Sequence, residues 1–105
     1  MTTQPNAAET RWRESVREMG SVLSGAPAVI HHAAGRTARH NKVDIGHWWL
    51  IPLTDDEHKR LHGGEYGKDR KEMEKHWFVH VLKHLADHPD KPSGEVQDAI
   101  FGYHR

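Results

Sequence analysis

Two histidine pairs bracket the middle of this chain: His31-His32 in a short β-prone run, and His58 with His62 in a helix-prone stretch. Their setting narrows the folds open to it. Residues 28–33, Ala-Val-Ile-His-His-Ala, read as a strand closed by Gly35, and residues 36–46 read as a polar loop. Trp48 to Leu53 reads as a second strand, which Pro52 confines to a sheet edge or a strand end. Thr54 and Glu57 have the spacing of a capping box, opening a helix over 55–62 that stops at Gly63-Gly64. On that helix, positions 58 and 62 lie one turn apart and face the same way, so both imidazoles reach a single ion. Neighbours on a strand face opposite sides, so only one of His31 and His32 joins that ion directly. A hydrolytic centre needs this division, with ligands on one side and a base for water on the other.

Spacing alone is not specific. The chain has eleven histidines, and pairs four apart recur at 76/80, 80/84 and 84/88. What sets 58/62 apart is its place directly after the second strand, ending on a Gly-Gly turn that lets a substrate backbone approach. The later row His76, His80, His84 and His88 projects beside Met73 and Trp77 and reads as packed or partly exposed helix residues.

The flanks read as helical. Trp12, Val16, Met19 and Leu23 share one face of a helix over 8–23, ended by Gly25 and Pro27. A longer helix over 69–86 carries Met73, Trp77, Val81 and Leu85, and its charged start, Lys68 to Lys75, reads as a solvated turn and a half. Residues 88–94 form a linker, and 95–103 a last helical turn or two. Apolar residues make up 35% of the chain, with a mean hydropathy of −0.87, so the core must be thin. The absence of cysteine removes disulfides and thiolate zinc sites as staples. The four tryptophans therefore read as core area rather than as a platform for stacking bases. The expected architecture is α+β: a flexible tail over 1–8, then a single domain over 9–105 with its motif core in 26–64 and C-terminal helices within 68–103.

The polar start, Met1 to Ala8, has no apolar run, so no signal peptide is expected, nor any membrane span. Lysine and arginine balance aspartate and glutamate at 15 each, which argues mildly against a nucleic-acid partner. Below about pH 6.5 protonated histidines reverse that argument by making the chain cationic.

The segments Ala28-Val-Ile-His-His-Ala-Ala-Gly-Arg36, Gly46-His-Trp-Trp-Leu-Ile-Pro-Leu53 and His58-Lys-Arg-Leu-His-Gly-Gly64 together resemble the HNH (ββα-metal, His-Me finger) endonuclease motif. The likeness runs over about residues 21–64 and leans toward phage recombination-enhancement (Ref-like) nucleases, with all-histidine ligation resembling the colicin DNases. It implies His31, His58 and His62 as ligands of one divalent ion and His32 as general base. It also implies DNA as substrate, a phage origin, a bacterial cytoplasm and a recombination protein as a further partner. Two features depart from the family. The Cys-x-x-Cys pairs that hold a structural zinc correspond here to Ser21-Val-Leu-Ser24 and Thr54-Asp-Asp-Glu57, so that zinc is read as lost, leaving the flanking helices to hold the fold. The residue that orients the base, usually Asn, falls on Trp49 counting back from His58 and on His47 counting forward from His32; His47 is preferred.

Three imidazoles without a carboxylate make a softer site than magnesium prefers and suit zinc, nickel, cobalt or manganese better. Arg36 and Arg39 after the base, with Lys59 and Arg60 on the metal helix, are the expected phosphate clamps. Two rival readings draw on the neutral charge: a non-catalytic DNA- or protein-binding module stapled by the metal, and a histidine-rich metal-binding protein.

Overall fold

The structure, a computed structural model, describes residues 5–103, so Met1 to Gln4 of the expected tail and the last two residues lie outside it. Helix α1 (Ala7–Glu18) starts at Asn6, whose side chain accepts from the Glu9 amide while the Glu9 carboxylate accepts from the Asn6 amide, each at 2.8 Å. This capping box draws Ala7 and Ala8, read from sequence as tail, into the helix. The helix also ends earlier than its apolar spacing suggests. At Gly20, φ is +82°, and a Cβ there would lie 2.6 Å from the Gly25 carbonyl oxygen. The turn is thus set by backbone packing that only glycine allows.

Strands β1 (Val29–His32) and β4 (Leu50–Leu53) pair antiparallel, with His31 opposite Ile51 and His32 opposite Leu50. A two-stranded sheet consists of edges, so Pro52 is tolerated opposite Ile30. Trp48 and Trp49, placed in this strand by the sequence pattern, form the turn leading into it. Between the strands, the expected plain loop carries a small hairpin of β2 (Arg39–His40) and β3 (Val43–Asp44). Asn41 and Lys42 make its turn at φ 51° and 66°, the left-handed pair that matches strand twist. Helix α2 (Asp55–His62) follows β4 as the capping signal predicts, with the Glu57 amide donating to Thr54 Oγ1 at 3.1 Å. A short 3₁₀ turn, Gly67–Asp69, leads into α3 (Arg70–His84), and Ser93 caps α4 (Gly94–Phe101). The fold is α+β, with an N-terminal helix, two small antiparallel sheets and C-terminal helices. No helix among the described residues is long and apolar enough to cross a membrane.

Every residue of β4 is buried, because α1 and α3 both pack against this strand. Trp12 and Val16 reach it from α1, and Trp77, Phe78 and Val81 come from α3. Trp12, Trp49 and Trp77 are buried in that core, as the thin apolar composition requires. Trp12 keeps its indole N–H satisfied by donating to the Trp48 carbonyl at 3.2 Å.

The two segments read as counterparts of lost zinc-binding pairs do meet, and polar side chains cross-link them. Ser21 Oγ donates to Glu57 Oε1 at 2.5 Å and accepts from the Leu23 and Ser24 amides at 3.0 and 3.1 Å. The Thr54 amide donates to the same Glu57 oxygen at 2.8 Å, and the Val22 amide donates to the Pro52 carbonyl at 3.0 Å. Burial pushes the Glu57 carboxyl upward, but the donors from Ser21, Thr54 and Ser24 outweigh it and hold the group below its ordinary value. An ionised carboxylate therefore ties the Ser21 turn to the start of α2, the helix that carries His58 and His62.

Ser21→Ala removes one donor from this buried carboxylate and should cost about 1–3 kcal/mol, read as a lower urea midpoint at unchanged slope. An unchanged midpoint would mean the cross-link adds nothing to the fold.

Candidate metal centre

His31 is the inward-facing residue of β1, 2% exposed, and α2 lies across that face. The capping box fixes where α2 begins, and this puts His58 and His62, one turn apart, above His31. His58 Nε2 lies 3.1 Å from His31 Nδ1 and 3.0 Å from His62 Nε2. A ring nitrogen carries either one in-plane hydrogen or one lone pair, so His58 Nε2 cannot make two good hydrogen bonds at once. Three nitrogens turned toward a common point are better explained as a ligand set. All three lie within 4.8 Å of one another, and in a tetrahedral zinc site with bonds of about 2.0–2.1 Å two nitrogens sit about 3.3 Å apart. The donor set fits one borderline-soft divalent ion. His62 is exposed, so the centre opens to solvent on one side.

Behind the ligands sits a residue that the sequence reading left among solvated charges. Glu74 of α3 is fully buried and accepts from His31 Nε2 at 2.5 Å. That bond commits the His31 hydrogen to Nε2 and leaves the Nδ1 lone pair for the cluster. Lys71 Nζ donates to the other Glu74 oxygen at 3.0 Å and also to the Ala33 carbonyl. Burial alone would raise the Glu74 carboxyl, yet the His31 and Lys71 contacts prevail and keep it below its ordinary value. The centre thus has an anionic floor. His58 and His62 are shifted downward, first by burial, and then by neighbouring imidazoles and the Arg70 guanidinium. Neutral rings are the form that binds metal.

His32 occupies the opposite face of β1, half-buried, with its ring 5.7 Å from that of His47. Burial pushes its pKa down to about 4, helped by His47 and by the Arg36 and Arg13 guanidinium groups. Arg13 lies on α1 and drew no notice in the sequence, where it looks like one more charge on a solvated helix face. Of the two residues competing for the orienting place, His47 is the one beside His32. Trp49 is buried, packs edge-on to Tyr103 and directs its indole nitrogen toward the Glu74 carbonyl, 3.5 Å away. The loop is held shut at Gly46, where a Cβ would come within 2.1 Å of the Arg36 carbonyl oxygen. This close approach brings the His47 end of the loop back to the His32 end.

The expected phosphate clamps have varied surroundings. Arg36 flanks His32. Arg39 pairs with Asp44 at 2.8 Å and donates to the Lys42 carbonyl, on the hairpin. Lys59 and Arg60 pair one turn back along α2 with Asp55 and Asp56, at 3.1 and 3.6 Å. The late histidine row does not form a cluster of its own: His76 and His80 are exposed with rings 5.4 Å apart, and His84 is exposed. His88 instead bonds Ser15 at 2.7 Å and meets Trp12 edge-on, helping to dock the linker on α1. No protein-family model, no curated protein and no solved structure matches this chain.

Calorimetric titration with zinc should find one tight equivalent, abolished or strongly weakened by His31→Ala, His58→Ala or His62→Ala. Glu74→Ala should cost about 10–100-fold in affinity while leaving all three ligands in place. Equal affinity in wild type and Glu74→Ala would remove the buried carboxylate from the account of the centre. Gly46→Ala forces the segments on either side of the hairpin apart and should lower stability by more than the ~0.5 kcal/mol of an ordinary surface change. A wild-type melting temperature for that variant would contradict the close approach.

Proposed function

We propose that this chain is a metal-dependent endonuclease of the HNH kind, hydrolysing DNA phosphodiesters at one ion with His32 as general base. The observation carrying this reading is the division of β1. His31 joins a three-nitrogen cluster on one face, while its neighbour His32 stands on the other among cations. A metal-storage site has no use for a neutral, cation-flanked imidazole one residue from its ligands. A phosphodiesterase has a use for that arrangement, because a base can take the proton of the attacking water while nearby cations stabilise the charge that develops on the phosphoryl group.

The chain's own groups divide the work. His31, His58 and His62 would hold the ion, which when bound would supply neutralisation of the charge that develops on the phosphoryl group. His32 is neutral at physiological pH and takes the proton from the attacking water as its oxygen bonds to phosphorus. The bond from phosphorus to the 3′ oxygen breaks, and that oxygen is reprotonated from solvent, leaving 3′-hydroxyl and 5′-phosphate ends. His47 steadies the His32 ring, and Arg36 with Arg13 steers the phosphate toward it. Arg39, Lys59 and Arg60 lie farther from the base and would serve the neighbouring backbone phosphates, exchanging their present ion pairs for DNA.

Nicking of supercoiled plasmid, assayed with magnesium, manganese, nickel, cobalt and zinc, tests the proposal. Wild type should nick with at least one ion. His32→Ala should lose about 10²–10⁴-fold in rate while keeping metal affinity. Wild type inert with every ion, or His32→Ala as active as wild type, overturns it; a gel shift without nicking would point to a binding module.

A further inference from the structure

Arg70 is the first residue of α3, and its Nε is the one buried side-chain nitrogen or oxygen among the described residues with no hydrogen-bond partner. Its nearest anion is Glu74 Oε2, 3.6 Å away, which is beyond hydrogen-bonding range and already accepts from His31. The other Glu74 oxygen is taken by Lys71 at 3.0 Å. Glu74 therefore does not need Arg70 as a counter-charge. Yet the guanidinium stands beside the carboxylate oxygen that His31 of the histidine cluster bonds, and about a third of its side chain reaches solvent. A permanent cation beside three metal-binding imidazoles weakens the binding of a second cation. A buried, unpaired N–H adds a further penalty. Both costs are recovered together if the group that completes the site is an anion.

We propose that Arg70 is the anion-binding residue of the histidine centre, donating to a non-bridging phosphate oxygen of the substrate. The inference rests on the nuclease reading for the identity of that anion as a phosphodiester, and it places a substrate contact on α3, outside the strand–hairpin–strand–helix segment. Arg70 and Arg36 then grip the phosphate from two sides, one beside the metal ligands and one beside His32. A planar guanidinium, with five N–H donors, suits this task better than an ammonium group.

Inorganic phosphate is the probe, titrated calorimetrically into nickel-loaded protein. Wild type should bind it, and both Arg70→Ala and Arg70→Gln should weaken binding about 10-fold or more, with Arg70→Lys between them. Nickel affinity in the Arg70 variants should be unchanged or tighter, because a repelling charge has gone. Arg70→Gln retains most of the side-chain volume and keeps the test open if Arg70→Ala unfolds. Phosphate affinity unaffected by every Arg70 substitution overturns the proposal. So does nickel affinity that falls as far as in Glu74→Ala, because Arg70 would then be a support for the carboxylate. If wild type nicks no DNA with any ion while phosphate binding still depends on Arg70, the nuclease reading fails and the anion site stands.

Discussion

The hydrogen bond from His31 to Glu74 joins the strand pair to the long C-terminal helix at the deepest polar point of the molecule. A buried carboxylate and a buried imidazole are each costly alone, and together they satisfy one another. The bond also decides which His31 nitrogen is free. With the hydrogen committed to Nε2, Nδ1 faces α2, and the nitrogens of His58 and His62 lie close to it. Two elements that share no backbone hydrogen bonds, α2 and α3, are thereby brought to bear on the same strand residue. The Ser21–Glu57 cross-link performs the matching task at the other end of α2, fixing the helix against the turn before β1.

These two carboxylates explain how a thin-cored chain without cysteine can hold a geometrically demanding site. Apolar burial comes mainly from tryptophans and the residues packed around β4, which give area without directional control. Direction comes from Glu57 and Glu74, each kept ionised by donors despite burial. A bound ion would add a third constraint, pulling β1 and α2 together and stabilising the folded state by an amount that grows with the logarithm of free ion concentration above its dissociation constant.

Much of the arrangement was legible in the sequence because local chemistry announces it. Thr54 and Glu57 mark the start of α2, Gly63 its end, and the spacing of His58 and His62 then places them on one face. The floor of the site was not read. Glu74 stands among eight mostly charged residues, Lys68 to Lys75, which look like a solvated helical start. The available signal was its register: Glu74, Trp77, Phe78 and Val81 fall at i, i+3, i+4 and i+7, a single buried face, whereas the Met73-based stripe shares Trp77 and Val81 with it but passes over Glu74 and Phe78. The β2–β3 hairpin escaped because its left-handed turn is built from Asn41-Lys42 instead of the usual Asn-Gly. The start of α1 falls one residue before the Ala8 expected from the sequence because its cap, Asn6, lies in a segment whose composition reads as tail.

The geometry of the centre requires that a bound ion take Nδ1 of His31 and Nε2 of His58 and His62. Long-range proton–nitrogen correlation NMR of the histidine rings, recorded before and after one equivalent of zinc, reads this directly. The account predicts that zinc shifts Nδ1 of His31 and Nε2 of His58 and His62, with the His31 hydrogen remaining on Nε2 in both spectra. Zinc ligation through His31 Nε2, or three rings that do not respond to zinc, would contradict it.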